Sequence, residues 1–126
     1  ARCGARSMAK AGHAVWLYRF YYVADSQRDD KQRYAGHASE LPFVFDNLDA
    51  AYGDKVTDDD RRMARQINTY FANFAKAGDP AGTGLPPWGR VDPSRSELMR
   101  FTLDEGPQLQ ADPWQRRFDL LDAVDR

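Results

Sequence analysis

A single cysteine, Cys3, stands in 126 residues, so no intramolecular disulfide can form and a stapled extracellular miniprotein is excluded. There is no C-x-x-C or H-E-x-x-H spacing, and Cys3, His13 and His37 have no ligand-type partner close in sequence, so no metal site is expected. Phosphate-cradling patterns are absent as well. Gly82-Thr83-Gly84 is followed by Leu85-Pro86-Pro87, which cannot begin the helix such a cradle requires, and no cofactor is expected. No apolar run approaches the roughly 20 residues of a membrane helix, so no membrane partner is expected. Charge of one sign is missing too: Lys+Arg 18 against Asp+Glu 19 gives a net −1, which argues against a basic groove for nucleic acid. The first 13 residues scatter Arg2, Arg6 and Lys10 among alanines, with no apolar stretch behind them. They contain no export signal, and the compartment stays open, with the cytoplasm as the default expectation.

Apolar residues make up 42% of the chain and aromatics 13%. A chain of this length can bury about two-thirds of its unfolded surface, so a core is available. No repeat, long linker or low-complexity segment divides residues 1–126, and no internal domain boundary is expected.

The pattern along the chain is mixed α and β. Residues 2–11 suit a short helix closed by Gly12. Residues 14–23 (AVWLYRFYYV) are β-branched, aromatic or aliphatic except Arg19, the pattern of an interior strand covered on both faces. Residues 25–33 are polar and read as an exposed loop. Residues 34–45 turn from small residues into an apolar run with a proline, a loop with one helical turn.

The clearest helix runs over 57–77. Thr57 is its cap and Asp58 to Asp60 fill the first turn, where the helix dipole favours anions. Met63, Ile67, Tyr70, Phe71 and Phe74 make one apolar stripe, read as core-facing, and Gly78 closes the helix. Trp88, in the breaker-rich loop that follows, is expected to be pinned onto the sheet. Residues 97–103 and 108–110 flank Asp104-Glu105-Gly106 as an antiparallel strand pair. Asp112 and Pro113 open a last helix over 113–124, with Trp114, Phe118, Leu121 and Ala123/Val124 as its buried stripe.

The chain has two histidines, the residue type most often used as a general acid or base. His13 has nothing acidic or nucleophilic around it in sequence and reads as structural or exposed. His37 lies among small residues in a loop beyond the end of the buried strand, where ligands bind in open α/β sheets. A catalytic role and a satisfied loop histidine are both open on that basis. Ser39 and Glu40 do not complete a triad with it, because residues two apart face away from each other in a helix or lie along the same edge of a strand. None of Ser7, Ser26, Ser39, Ser94 and Ser96 sits in a G-x-S-x-G elbow. Cys3, at the terminus, lacks a fixed geometry for attack. The chain therefore offers no nucleophile.

Four segments in order resemble the C-terminal portion of type B carboxylesterases, the family of para-nitrobenzyl esterases, liver-type carboxylesterases and cholinesterases. Val15-Trp16-Leu17-Tyr18-Arg19-Phe20 resembles a late sheet strand. Ala35-Gly36-His37-Ala38-Ser39-Glu40-Leu41-Pro42-Phe43-Val44-Phe45 is similar to the segment around the catalytic histidine. Tyr70 to Pro80, and Leu85 through Trp88 to Pro93, are similar to the helix, Gly-Asp-Pro turn and Trp-containing loop that follow.

The resemblance implies an α/β fold, the C-terminal part of an α/β-hydrolase, with an interior strand, an antiparallel strand pair and two long amphipathic helices. It implies ester hydrolysis by a serine, a histidine and a carboxylate, with His37 as the catalytic histidine and Glu40 as a support of its loop. Many members have glycine where this chain has Ala38. The nucleophile elbow, the acid and the Gly-rich oxyanion loop precede these segments in the family and have no match here. The expected partners are therefore a small-molecule ester for the whole enzyme and the N-terminal part of the same fold. Uncovered sheet edges would also invite self-association. A second reading, from another class, is an autonomous noncatalytic binding or dimerisation module built on the amphipathic helices at 57–77 and 113–124.

Overall fold

The computed structural model describes residues 2–29 and 34–124. Helix α1, Arg2–Lys10, ends where Gly12 turns left-handed at φ 87°. Gly12 N–H bonds to Ala9 C=O and His13 N–H to Met8 C=O, both at 3.0 Å, so the last carbonyls of the helix are satisfied in a Schellman motif.

Strand β1 is Tyr18–Phe20, shorter than the expected 14–23. Extended pairing continues on either side of it: Met99 N–H reaches Leu17 C=O and Tyr21 N–H reaches Phe101 C=O, each at 2.9 Å. Strands β2, Glu97–Thr102, and β3, Gly106–Ala111, complete a sheet of order β1-β2-β3. β1 runs parallel to β2 with Tyr18 opposite Met99, and β3 runs antiparallel with Thr102 opposite Gly106. The strand expected to be interior thus has one partner among the described residues, and its side chains are half-buried. Its apolar faces lack the neighbours that full burial requires. The hairpin turn closes one residue earlier than expected. Gly106, at φ 70°, already pairs with Thr102, the left-handed position that ends a three-residue hairpin loop.

Helices α2, Leu41–Val44, and α3, Leu48–Tyr52, precede α4, Asp58–Ala77. Thr57 caps α4: its hydroxyl accepts from Asp60 N–H, and the Asp60 carboxylate accepts from Thr57 N–H. This capping box satisfies two of the donors a helix start leaves free. Gly78, left-handed at φ 69°, closes the other end. Met63, Ile67 and Tyr70 are buried as the stripe required, whereas Phe74 at its far end is exposed. These side chains meet Phe43, Met99, Phe101 and Trp88 in one core between α2, α4 and the sheet. Each large apolar side chain buried there stabilises by about 1.5–3 kcal/mol. Trp88 is pinned as expected, its ring edge-on to Tyr18, Tyr70 and Phe101.

Helix α5 is Gln115–Val124. It starts two residues later than the expected 113: residues 112–114 form a turn, in which the Asp112 carboxylate accepts from Trp114 N–H at 2.9 Å and its carbonyl from Gln115 N–H at 3.0 Å. The expected buried stripe is not buried: Trp114, Leu121 and Ala123 are exposed, and only Phe118 is partly covered. The Val124 side chain lies outside the described residues. The helical period marks which face is apolar, but burial needs a second surface, and the described residues offer its rings little beyond the guanidinium groups of Arg2 and Arg19 near Phe118 and Trp114.

Candidate active site

The chain leaves β1 through Tyr22, Val23 and Ala24, all buried, into a 3₁₀ turn at Asp25–Gln27. Arg28 fastens this turn, donating from Nε to Val23 C=O at 2.8 Å and from its guanidinium to the Asp25 carboxylate at 2.9 Å. The expected loop over 25–33 is observed as far as Asp29, and residues 30–33 lie outside the described residues. The described chain continues from Tyr34 into the turn that carries His37.

That turn is closed locally. Ser39 donates both its N–H, at 3.3 Å, and its hydroxyl, at 2.8 Å, to Gly36 C=O, and Leu41 N–H bonds to Ala38 C=O at 3.2 Å. Ala38 has φ 61°, a position that glycine fills without the steric cost a Cβ brings, about 1–2 kcal/mol. The residues beyond it run directly into α2, with Phe43 and Val44 N–H both on Glu40 C=O. Phe43 is fully buried and anchors the landing point.

His37 is exposed, and its ring makes no hydrogen bond among the described residues. It stands with Ala38 and Glu40 at an open cleft of about 470 Å³ whose floor is Trp16, Tyr18 and Phe20. The Glu40 carboxylate makes no hydrogen bond to the imidazole. It faces the Tyr18 phenol instead, which burial and the Glu40 charge push above its ordinary value. The Glu40 main-chain carbonyl accepts the first backbone bonds of α2, from Phe43 and Val44 N–H. His13, exposed in the turn after α1, and Cys3, exposed on α1, line no part of this cleft. Ser39 is beside His37 in sequence, but its hydroxyl is engaged with Gly36. Among the described residues no group of three or more His, Cys, Asp or Glu is placed to hold a metal ion, and no helix is long and apolar enough to cross a membrane.

One acid at the start of α4, by sequence only a helix-start charge, is bonded to the segment that leaves β1. Asp60 has no exposed surface, yet its carboxylate accepts from the Tyr22 hydroxyl at 2.8 Å and from Asp25 N–H at 3.1 Å. Burial, then the bond to Asp60 and its charge, hold the Tyr22 phenol well above its ordinary value. The available signal was an acid three residues after Thr57, the spacing of a capping box. Its second set of partners, 35 and 38 residues away, left no local trace.

A histidine on a constrained turn beyond the end of a strand, beside a mixed sheet flanked by helices, belongs to a partial α/β-hydrolase fold, and solved esterases share it. A PNB esterase superposes with a TM-score of 0.70 at 28% identity, over 86% of this chain and 21% of its own. The carboxylesterase EST55 of Geobacillus stearothermophilus superposes at 0.71 and 28%, over 91% and 23%. The carboxylesterase family model matches residues 2–118. Carboxylesterase 5A of Canis lupus familiaris is 31% identical over 127 residues, 95% of this chain and 22% of its own length. Cocaine esterase of Homo sapiens is 39% identical over 87 residues, 68% of this chain and 16% of its own. The chain belongs to the carboxylesterase family, and it spans about a fifth of the length of these relatives.

Proposed function

We propose that this chain supplies the general base of a serine carboxylic-ester hydrolase, competent only with the remainder of the fold that its relatives possess. His37 is that base. Its imidazole takes the proton of a serine hydroxyl as the serine attacks the ester carbonyl, then returns a proton to the leaving alcohol. Glu40 supports the loop. The nucleophile, the acid that orients the imidazole and the oxyanion donors come from the part of the fold outside residues 1–126. The apolar floor of the cleft suits an uncharged ester of a small organic alcohol or acid.

One observation carries this reading. The backbone around His37 is tightly held, with Ala38 in a strained conformation, while the ring itself is exposed and unbonded among the described residues. A histidine kept for structure would be buried and hydrogen-bonded; strain in the backbone with a free ring fits a side chain kept for chemistry. The test uses a fluorophosphonate probe and a p-nitrophenyl ester. The 126-residue chain alone is expected neither to label nor to turn over substrate. The longer polypeptide that carries it, recognised by intact mass in the source cell, is expected to do both, and His37→Ala to lower its kcat at least about a thousandfold. Labelling of the short chain, or normal turnover by His37→Ala, would refute the reading.

The exposure of Trp114, Leu120 and Leu121 on α5 favours a second reading, a noncatalytic module that associates through this face. Sedimentation separates the two. A cooperative, well-folded monomer or dimer of the short chain, with no longer species in the cell, supports the module.

A further inference from the structure

A carboxylate without exposed surface must be satisfied on every side. Asp60 meets this condition with donors from two distant parts of the chain. Thr57 N–H, at 3.1 Å, completes the capping box. The Tyr22 hydroxyl and Asp25 N–H are additional to anything helix capping requires, and both belong to the segment that leads out of β1.

The His37 turn lines a common cavity with that segment. Tyr22, Val23 and Ala24 face Ala35, Gly36 and Ser39 across a cavity of about 110 Å³. The Tyr22 ring also meets Phe43 edge-on, 5.2 Å between centroids, and Phe43 anchors the helix into which the turn runs. Asp60 is therefore connected to both approaches to His37, through Tyr22 and Asp25 on one side and through Tyr22 and Phe43 on the other.

We propose that Asp60 is a positioning residue for His37, fixing the platform of Tyr22 and Asp25 that lines a cavity with the histidine turn. The proposal rests on His37 acting as the general base. Asp60 touches neither substrate nor reacting atoms and acts only through its two donors. A misplacement of about 1 Å in reacting geometry is worth roughly a hundredfold in rate, and a loosened platform about tenfold.

The experiment is made in the longer esterase. Asp60→Asn keeps the shape and removes the charge, Tyr22→Phe removes one donor and leaves the capping box intact, and Asp60→Glu restores the charge. Asp60→Asn and Tyr22→Phe are each expected to lower kcat about tenfold with KM held within about twofold, and Asp60→Glu to recover part of the loss. Amide exchange over residues 34–45 is expected to quicken, while exchange over 61–77 is unchanged. A purely stabilising role would lower Tm and leave kcat and local exchange alone, and that result would overturn the proposal. His37→Ala, measured alongside, separates the two failures. If it is inactive while Asp60→Asn and Tyr22→Phe keep wild-type kcat, positioning alone is refuted; if it is active, the general-base reading falls. Should Asp60→Asn fail to fold, Tyr22→Phe still decides.

Discussion

The rings of Tyr70 and Trp88 meet edge to face, 5.4 Å apart at 86°, and the Tyr70 hydroxyl donates to Pro86 C=O at 2.6 Å. This contact joins the long helix α4 to the loop that returns to the sheet. Trp88 is buried, but its Nε1 has no hydrogen-bond partner among the described residues. Its contribution is therefore apolar area, set against an unsatisfied donor. Trp88→Ala is expected to cost about 3–5 kcal/mol through the cavity it leaves. Trp88→Phe removes the orphaned donor, whose burial costs about 1–3 kcal/mol, and keeps much of the ring contact. It should cost less than half as much as the alanine variant in urea unfolding. Equal losses would mean that Nε1 is satisfied in solution.

Ala38 gives the opposite sign. At φ 61° its Cβ is strained, and glycine would remove about 1–2 kcal/mol of strain. The greater freedom of glycine in the unfolded chain takes back about 0.4–1 kcal/mol. Ala38→Gly is therefore expected to stabilise by roughly 0.5–1 kcal/mol, while Ala38→Val, branched at Cβ, destabilises. Thermal unfolding of the two variants checks the order, and a destabilised glycine variant would show that the turn relaxes in solution.

How much of this was legible beforehand depends on the range over which each feature is encoded. Thr57, Asp60 and Gly78 mark the ends of α4 within a few residues, and Gly12 marks the end of α1. The stripe of Met63, Ile67 and Tyr70 showed its face by periodicity alone. The same rule failed for α5, because a period identifies an apolar face and cannot say what covers it. His37 was singled out by its small-residue setting beyond a strand, and its proposed role came from the resemblance of the whole segment. Asp60 was read as one of three helix-start carboxylates. The bond that sets it apart, to Tyr22, spans 38 residues and has no sequence signature.

Four of the six tyrosines have phenols raised above their ordinary value: Tyr18, Tyr22, Tyr52 and Tyr70. Burial is the largest cause at each, and it lifts Tyr70 to about 12. A phenol raised on folding contributes stability that is whole below the unfolded value, near 10, and is lost as pH rises through the folded value. Stability is therefore expected to fall from pH 10 to about 12, and absorbance at 295 nm to show these phenols ionising only as the chain unfolds. Tyr70→Phe should flatten that decline, because no proton then remains to be lost at this position. A decline as steep as the wild type's would place the alkaline sensitivity on the other three.

Arg2 ties the two terminal helices together. It is buried, donates to Ser96 Oγ at 2.9 Å and to the Asp119 carboxylate at 3.0 Å, and its Nε lies 3.9 Å from the buried Asp112 carboxylate. Its guanidinium also sits 5.3 Å from the centroid of the Phe118 ring. Asp119 is half exposed, so the solvent screens it and the loss of its carboxylate is replaced by water. Asp119→Ala is expected to cost under about 1 kcal/mol. Arg2→Ala removes the charge that faces Asp112 and the guanidinium that lies over the Phe118 ring, and should cost about 2–3 kcal/mol, the range of hydrogen bonds to charged groups. Arg2→Met keeps an apolar stem without the charge, so its loss divides packing from electrostatics. If methionine restores most of the alanine loss in urea unfolding, α5 is held by its contact with Phe118; if it restores little, the charge facing Asp112 holds it.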